Sequence, residues 1–442
     1  MKIQLSDSFT YKKLLKFTFP SIIMMIFTSI YGVVDGIFVS NFAGKTPFAA
    51  INLIMPVFLI IGAIGFMIGT GGSALVARYL GEGRRKKANE TFSMLIYVSL
   101  VFSSIVSLLG FVFIGPIARM LGADGEILKS CVLYGKILLP PMFAFILQNE
   151  FQAFMVVAEK PQLGLCVTVV AGVTNIVLDA LFVAVFKWGL TGAAFATAIS
   201  QFIGGTVPLF YFVFSKKAPL KLCRASVDFK DLLKACTNGS SEMMTNISMS
   251  LVTILYNFQL MKFAGENGIA AYGVMMYVAF IFISIFIGYC VGSAPVISFH
   301  FGAQNHGELK KLLKMSAVII GAFSIAMTVI SVSLANPLSE IFVGYDRELF
   351  RMTVRGFIIY CFSFLLAGFN IFASSFFTAL NDGFISASIS FLRTFFFQVV
   401  AVLILPIFFK LDGIWFSIVA AEIFSFIAVI IFFKKMQSKY NY

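Results

Sequence analysis

The sequence is poor in charge, in histidine and in paired cysteines. Only 12% of its 442 residues are charged, whereas a water-soluble domain carries about a quarter. The two histidines, His300 and His306, and the six scattered cysteines form no C-x-x-C pair and no zinc-binding spacing. No glycine-rich nucleotide-binding motif occurs. These absences argue against a soluble fold, a disulfide framework, a metal centre built on histidine or cysteine, and direct use of ATP.

Long apolar segments fill the sequence instead. Hydrophobic residues make up 60% of the chain, and many runs exceed the ~18 residues that mark a membrane span. The runs are continuous rather than alternating, which argues against a β-barrel. The pattern predicts an all-α integral membrane protein with twelve helices, at roughly 14–40, 47–77, 91–114, 131–157, 162–186, 191–214, 237–262, 268–298, 312–335, 353–379, 384–409 and 413–433.

Basic residues are concentrated on one predicted side of the membrane. With the N-terminus inside, 22 Lys and Arg residues fall on the inner side and 10 on the outer side. The positive-inside rule then places both termini in the cytoplasm. The net charge of +13 is therefore interpreted as a topology signal that contacts anionic lipid, and not as a nucleic-acid surface. The first apolar run is too long for a signal peptide, so we expect an uncleaved first helix.

The second half of the chain repeats the first. Identical residues recur 221 positions apart along the whole length: Gly71 and Gly292, Gly81 and Gly302, Pro116 and Pro337, Asn149 and Asn370, Gly192 and Gly413. Six spans per half give both halves the same orientation, and such parallel repeats pack around a pathway at their interface. The prediction is an N-terminal lobe at 1–214, a cytoplasmic linker at 215–236, a C-terminal lobe at 237–442, and a central cavity.

Four polar residues of the first half are predicted to lie at one depth in the membrane. At about 1.5 Å per helical residue, Asp35 and Asp179 both lie ~26–28 Å from the inner surface. Asn175 precedes Asp179 by four residues and shares its helix face, and Thr197 lies ~9 Å below the outer surface. The positions 221 residues later are occupied by Tyr256, Phe396, Val400 and Ile418. The acidic cluster therefore exists in one lobe only.

This asymmetry favours a functional role for the cluster. An ionisable group inside the bilayer is costly and needs a reason. Two carboxyl groups in an apolar pocket can hold a proton near neutral pH, or release it and bind a cation. Exchange of a proton or sodium ion against a substrate needs such a site. The structural alternative is a satisfied hydrogen-bond network that holds three helices together.

Other groups within the spans have less defined roles. Arg393 and Glu422 lie at matching depths in neighbouring spans, which predicts a buried ion pair, with a gate or a contact to anionic substrate as the alternative. Pro20 interrupts the first span and predicts either a hinge or a static kink. Glu150 is a candidate cavity residue. Glu242 lies near the cytoplasmic end of span seven, where we expect it to face water.

Six short segments occur in a fixed order along the chain: Gly32–Val39 (GVVDGIFV), Asn175–Asp179 (NIVLD), Gly192–Ala194 with Thr197, Gly288–Pro295, Phe301–Gln304 and Gly413–Trp415. Together they resemble the signatures of the multidrug and toxic compound extrusion (MATE) family. The resemblance covers the whole chain and is closest to the prokaryotic DinF-like branch.

The resemblance implies a function and a site. It implies that Asp35, Asn175, Asp179 and Thr197 bind the coupling proton or sodium ion, that Pro20 is the branch's first-helix proline, and that amphipathic organic cations are exported from the cytoplasm. No acidic residue lies in mid-span seven or in span ten, where other branches carry them. We expect no cofactor beyond the coupling ion, and a monomer in the cell membrane.

Three other functions compete with cation export. A flippase or exporter of a lipid-linked or other amphipathic metabolite should carry several basic residues along its cavity, and only Arg393 is deep. A membrane protease could in principle use Asp35 and Asp179 as a dyad, but no nucleophile or metal motif supports an enzyme. A channel would conduct without exchanging substrate for ion.

Overall fold

The protein folds into a bundle of long helices that run across the predicted membrane. The structure is a computed structural model that describes residues 3–39, 42, 45–215 and 219–442. All regular structure in these residues is helical, as expected where no water can satisfy backbone polar groups. The helices are α1 (Tyr11–Phe38), α2 (Lys45–Gly81), α3 (Arg85–Met120), α4 (Gly125–Leu138), α5 (Met142–Val157), α6 (Pro161–Asp179), α7 (Gly189–Phe214), α8 (Phe229–Gly302), α9 (His306–Val343), α10 (Arg347–Cys361), α11 (Phe364–Ala379), α12 (Gly383–Phe391) and α13 (Phe397–Tyr440), with π-helical turns at Ala180–Val185 and Leu392–Phe396.

These helices make twelve membrane crossings within the described residues. Eight continuous helical segments are long and apolar enough to cross. Two of them, α8 and the segment Gly383–Tyr440 that ends in α13, are each divided into two crossings by a non-helical residue, Gly265 or Lys410. Two further crossings are bent pairs, α4–α5 at 63° and α10–α11 at 50°. Pro140 and Pro141 explain the first bend, because proline cannot continue a helix. The predicted twelve-helix, two-repeat fold is confirmed.

The two halves match, but not at a single register. Helices α3 and α9 begin 221 residues apart, whereas α5 and α11 begin 222 residues apart. Left-handed backbone positions shift in the same way: Gly83 pairs with Gln304, Glu159 with Asn381, and Lys187 with Lys410. Single-residue differences in the loops change the register without disturbing the helices. The constant spacing of 221 is therefore wrong in the later spans, where Asn370 corresponds to Gln148 rather than to Asn149.

The connection between the halves ends earlier than the sequence suggested. Helix α8 begins at Phe229, eight residues before the predicted start of the second lobe at 237. Asp228 caps it by accepting hydrogen bonds from the backbone N–H groups of Lys230 and Asp231. Residues 216–218 of the predicted linker lie outside the described residues.

The apolar cores show where the two lobes separate. One core includes residues of both lobes, such as Phe92 and Phe154 from the first and Phe286 and Phe376 from the second. It lies in the half of the membrane on the side of the termini. In the other half each lobe has a core of its own. The lobes are thus joined on the side of the termini, and a cleft between them opens toward the opposite side.

Candidate functional site

Three helices of the N-terminal lobe bring Asp35, Asn175, Asp179 and Thr197 together. Asp35 lies in the last third of α1, Asn175 and Asp179 end α6, and Thr197 lies in the third turn of α7. Asp179 is fully buried and Asn175 is 2% exposed. The π-helical turn that follows Asp179 places an irregular backbone next to the carboxyl group, and such turns are frequent at functional sites.

The polar atoms of this cluster are close to one another but poorly satisfied. The Asp35 carboxyl group interacts with the side chains of Asp179, Asn175 and Thr197. However, Asp35 Oδ1, both carboxyl oxygens of Asp179, Asn175 Nδ2 and Thr197 Oγ1 are buried without a partner at hydrogen-bonding geometry among the described residues. A buried polar group without a partner costs free energy. Two facing carboxyl groups can satisfy each other once one of them carries a proton.

Two tyrosines complete the cluster and were not found from the sequence. Tyr134 of α4 interacts with Thr197 and lies within the electrostatic field of Asp35 and Asp179. Tyr31 interacts with Gln148 and with Asp35. Tyr31 precedes Asp35 by four residues on α1, so helical spacing alone could have included it. Nothing in the local sequence distinguishes Tyr134 from an ordinary buried tyrosine, because its neighbours in the site come from distant helices.

The chemistry of the cluster suits a proton or a hard monovalent cation. Its donors are carboxylate, amide and hydroxyl oxygens, which bind alkali and alkaline-earth ions rather than soft metals. Within the described residues no three His, Cys, Asp or Glu side chains are grouped to hold a metal ion. The two carboxyl groups, the amide and the hydroxyl are the set that would hold a sodium ion.

Arg393 and Glu422 form a bidentate ion pair in the C-terminal lobe. Arg393 Nη2 lies 2.8 Å from Glu422 Oε1, and Arg393 Nε donates to both carboxylate oxygens at 2.9 and 3.1 Å. Asn370 Nδ2 donates a further hydrogen bond of 2.6 Å to Glu422 Oε2. Both charges are mostly buried, and each has partners that satisfy it.

Pro20 and Glu150 lie away from both clusters. Pro20 is inside the continuous helix α1, and its neighbours Thr18 and Ile22 contact Gly292 and Gly288 of α8. Glu150 is fully buried and accepts a hydrogen bond from Ser99. It does not line the main cavity, where the sequence had made it a candidate.

The main cavity lies between the lobes and is lined mostly by the C-terminal lobe. Its wall includes Glu242, Arg393 and Glu422, whereas Thr70, Ser73 and Ala153 of the first lobe close its end near the termini. A second cavity shares Thr253, Tyr272, Met276 and Phe280 with it and continues between α1 and α8 toward the opposite side of the membrane. Glu242 faces the main cavity rather than the open aqueous phase, which corrects the expectation from the sequence.

Comparison with known proteins agrees with this architecture. The profile of the MatE family matches residues 20–181 and again residues 243–404. The multidrug export protein MepA of Staphylococcus aureus is 25% identical over 346 residues, which cover 77% of this chain and 75% of that protein. MepA of Staphylococcus saprophyticus is 26% identical over 328 residues, covering 73% and 72%.

The fold is also shared with solved transporters. An outward-facing multidrug resistance MATE family transporter of the MOP superfamily superposes with a TM-score of 0.94 at 22% identity, and the match covers 100% of this chain and 98% of that chain. A DinF-like prokaryotic branch is consistent with these relatives. The profile matches both repeats and, over the two matches, most of the sequence, so the chain belongs to the MatE family of membrane transporters.

Proposed function

We propose that this protein is a secondary antiporter that exports amphipathic organic cations in exchange for protons or sodium ions. The observation that supports the proposal most strongly is the buried pair Asp35 and Asp179, in which Asp35 Oδ1 and both Asp179 carboxyl oxygens have no hydrogen-bond partner among the described residues. The affinity of such a pair for a proton or a cation depends on the conformation of the protein. The relatives described above are multidrug export proteins, which agrees with an export role.

The position of the cleft supports alternating access. The lobes share one apolar core on the side of the termini and are separate on the other side. If both termini are cytoplasmic, as the basic residues predict, this conformation faces outward and its cytoplasmic side is closed. A transporter of two parallel repeats then works by moving one lobe against the other around a site between them.

Helix α1 connects the coupling site to the closed interface. Its outer part carries Asp35, and its inner part, which contains Pro20, lies against α8. A Cβ built on Gly288 would lie 2.5 Å from Ile22 Cα, and one on Gly292 would lie 2.9 Å from Thr18 Cα, so the two helices touch backbone to backbone. A change of charge at Asp35 that bends α1 at Pro20 would act directly on this contact.

A flippase or exporter of an anionic metabolite is the less favoured alternative. Its substrate would need free positive charge in the cavity. Among the described residues, one arginine lines the cavity, Arg393, and Glu422 neutralises it at 2.8 Å.

Ethidium efflux tests the proposal. Whole cells that express wild type, Asp35→Asn or the exposed control Asp124→Asn are loaded with ethidium, and the pH gradient and the sodium gradient are collapsed separately. Asn also caps helices, so the control should keep α4 intact. We expect efflux that stops with one gradient and is abolished in Asp35→Asn only. Wild-type efflux in a well-expressed Asp35→Asn variant would refute the role of this site, and absent efflux in all variants would favour the metabolite exporter.

A further inference from the structure

The C-terminal half of the cavity contains one carboxylate without a partner. Glu242 forms no ion pair and its carboxylate accepts no hydrogen bond from any described residue; its backbone carbonyl accepts from Asn246 Nδ2. Arg393 is close enough to act on it electrostatically, but Arg393 is already bound to Glu422 through its Nε and Nη2 atoms. When all three groups are ionised, the two carboxylates and one guanidinium that line this cavity give it a net charge of about −1.

The cavity wall has a charged end and an apolar end. Glu242, Thr245, Met249 and Val252 follow each other at helical spacing on one face of α8, and all line the cavity. The carboxylate is at the end near the termini, and the thioether and aliphatic groups lie toward the mouth. Tyr272, Met276 and Phe280 form the facing apolar wall from the second crossing of α8.

A second polar group in this wall is also without a partner. Asn370 lines the cavity and is fully buried, and its Nδ2 donates to Glu422. Its Oδ1 has no hydrogen-bond partner among the described residues. A fixed carbonyl oxygen and a free carboxylate that line one cavity suit a ligand that carries both positive charge and an N–H donor.

The charged groups of the two lobes differ in a way that suggests different tasks. In the first spans of the two halves, where the spacing is 221, Glu242 corresponds to Ser21 and Asp35 corresponds to Tyr256. Neither of these two acidic residues is repeated in the other lobe. The N-terminal pair is enclosed among α1, α6 and α7, and the C-terminal carboxylate faces the main cavity between the lobes.

We propose that the C-terminal lobe holds the substrate, with Glu242 as the contact for the positive charge of a monovalent amphipathic organic cation. The apolar body of the ligand lies against Met249, Met276 and Phe280, where aromatic and thioether groups accept varied shapes. The coupling ion and the substrate thus occupy different lobes and compete through the conformation of the protein rather than for one site. This inference rests on the proposed function and specifies where its substrate binds.

Equilibrium binding of ethidium to the purified protein tests the assignment. Fluorescence polarisation is measured for wild type, Glu242→Gln and the matched control Glu266→Gln, which lies on the same helix, is exposed and does not line the cavity. Loss of the carboxylate should raise the Kd for ethidium by about tenfold or more, and the control should bind as wild type does. Equal binding by folded Glu242→Gln protein would overturn the assignment.

A second measurement does not depend on how Glu242→Gln folds. Thr245 lines the cavity one turn from Glu242. In a cysteine-free protein carrying Thr245→Cys, ethidium should slow the reaction of that cysteine with N-ethylmaleimide. A reaction rate that ethidium leaves unchanged overturns the site.

The two proposals fail in different ways. Wild-type efflux without protection at position 245 rejects the substrate site and leaves antiport standing. If wild type neither binds nor exports ethidium, both are rejected.

Discussion

Gly71 of α2 and Gly239 of α8 bring the backbones of the two lobes into direct contact on the side of the termini. A Cβ built on Gly239 would lie 1.8 Å from the Met67 carbonyl oxygen, and one on Gly71 would lie 2.1 Å from the Ala235 carbonyl oxygen. No side chain fits between the helices at this point. The contact therefore exists only in the closed arrangement of this side, and it is a place where the equilibrium between conformations can be changed by one methyl group.

Gly71→Ala and Gly239→Ala should both shift the protein toward a state that is open on the side of the termini. Overpacking a close contact costs about 1–3 kcal/mol, which changes the ratio of the two states by about 5- to 150-fold. Spin labels at the exposed positions Lys86 and Lys310 would report a longer distance between the lobes. The control is Gly115→Ala, where the nearest atom is an ordinary contact at 3.8 Å; a distance change there as large as in Gly239→Ala would contradict the explanation.

Pro20→Ala tests whether α1 acts as a hinge. Alanine restores the backbone hydrogen bond that proline cannot donate to the Lys16 carbonyl and so stiffens the helix. We expect ethidium efflux to slow several-fold while the Kd for ethidium changes by less than about twofold, as for a change in a conformational step. Pro116→Ala in α3 is the matched control, since Pro116 is exposed inside a helix. Unchanged efflux in Pro20→Ala would make the proline a static kink.

The sequence predicted the crossings and the depth of the acidic residues because both follow from residue type and helical rise. Asp35, Asn175, Asp179 and Thr197 meet because spans one, five and six are nearly regular helices whose lengths can be counted. The role of Glu242 could not be found in this way. Glu242 lies a short distance from the predicted cytoplasmic end of span seven, which predicts contact with water. However, the lobes close on the side of the termini at Gly71 and Gly239, and this closure leaves Glu242 facing the cleft.

A network of hydrogen bonds and an ion pair connects the start of α8 to the first lobe. Asp231 is buried, accepts hydrogen bonds from Tyr79 Oη at 2.8 Å and Thr91 Oγ1 at 3.1 Å, and lies 2.9 Å from Lys87 Nζ. Asp231→Asn should lower the free energy of unfolding by about 1.5–3 kcal/mol, since these bonds involve a charged acceptor. Thermal unfolding in detergent measures the loss. Asp412→Asn removes an exposed pair with Arg355 and should cost no more than about 1 kcal/mol.

Asp228 in the same network should not contribute to the pH dependence of stability near neutral pH. The hydrogen bond from Lys87 Nζ, at 2.7 Å, lowers the pKa of Asp228 below its usual value of 3.8. Its stabilising effect is therefore present above pH 3.8 and is lost only as the pH falls through the lowered pKa. The melting temperatures of wild type and Asp228→Asn should differ by a constant amount between roughly pH 5 and pH 9. A difference that disappears near neutral pH would show that this carboxyl group titrates there.

The ion pair of Arg393 and Glu422 can be removed as a whole without changing the net charge of the main cavity. Arg393→Met leaves Glu422 buried without its partner and should destabilise the protein by about 3–5 kcal/mol. The double variant Arg393→Met/Glu422→Met should recover most of this loss, because replacing a whole buried pair with apolar side chains is often neutral. The double variant keeps Glu242 and a cavity charge of about −1, so it should bind ethidium within about threefold of wild type. Thermal unfolding and fluorescence polarisation on the same preparations give both values. A stable double variant that no longer binds ethidium would assign the contact with the cation to Glu422 instead of Glu242.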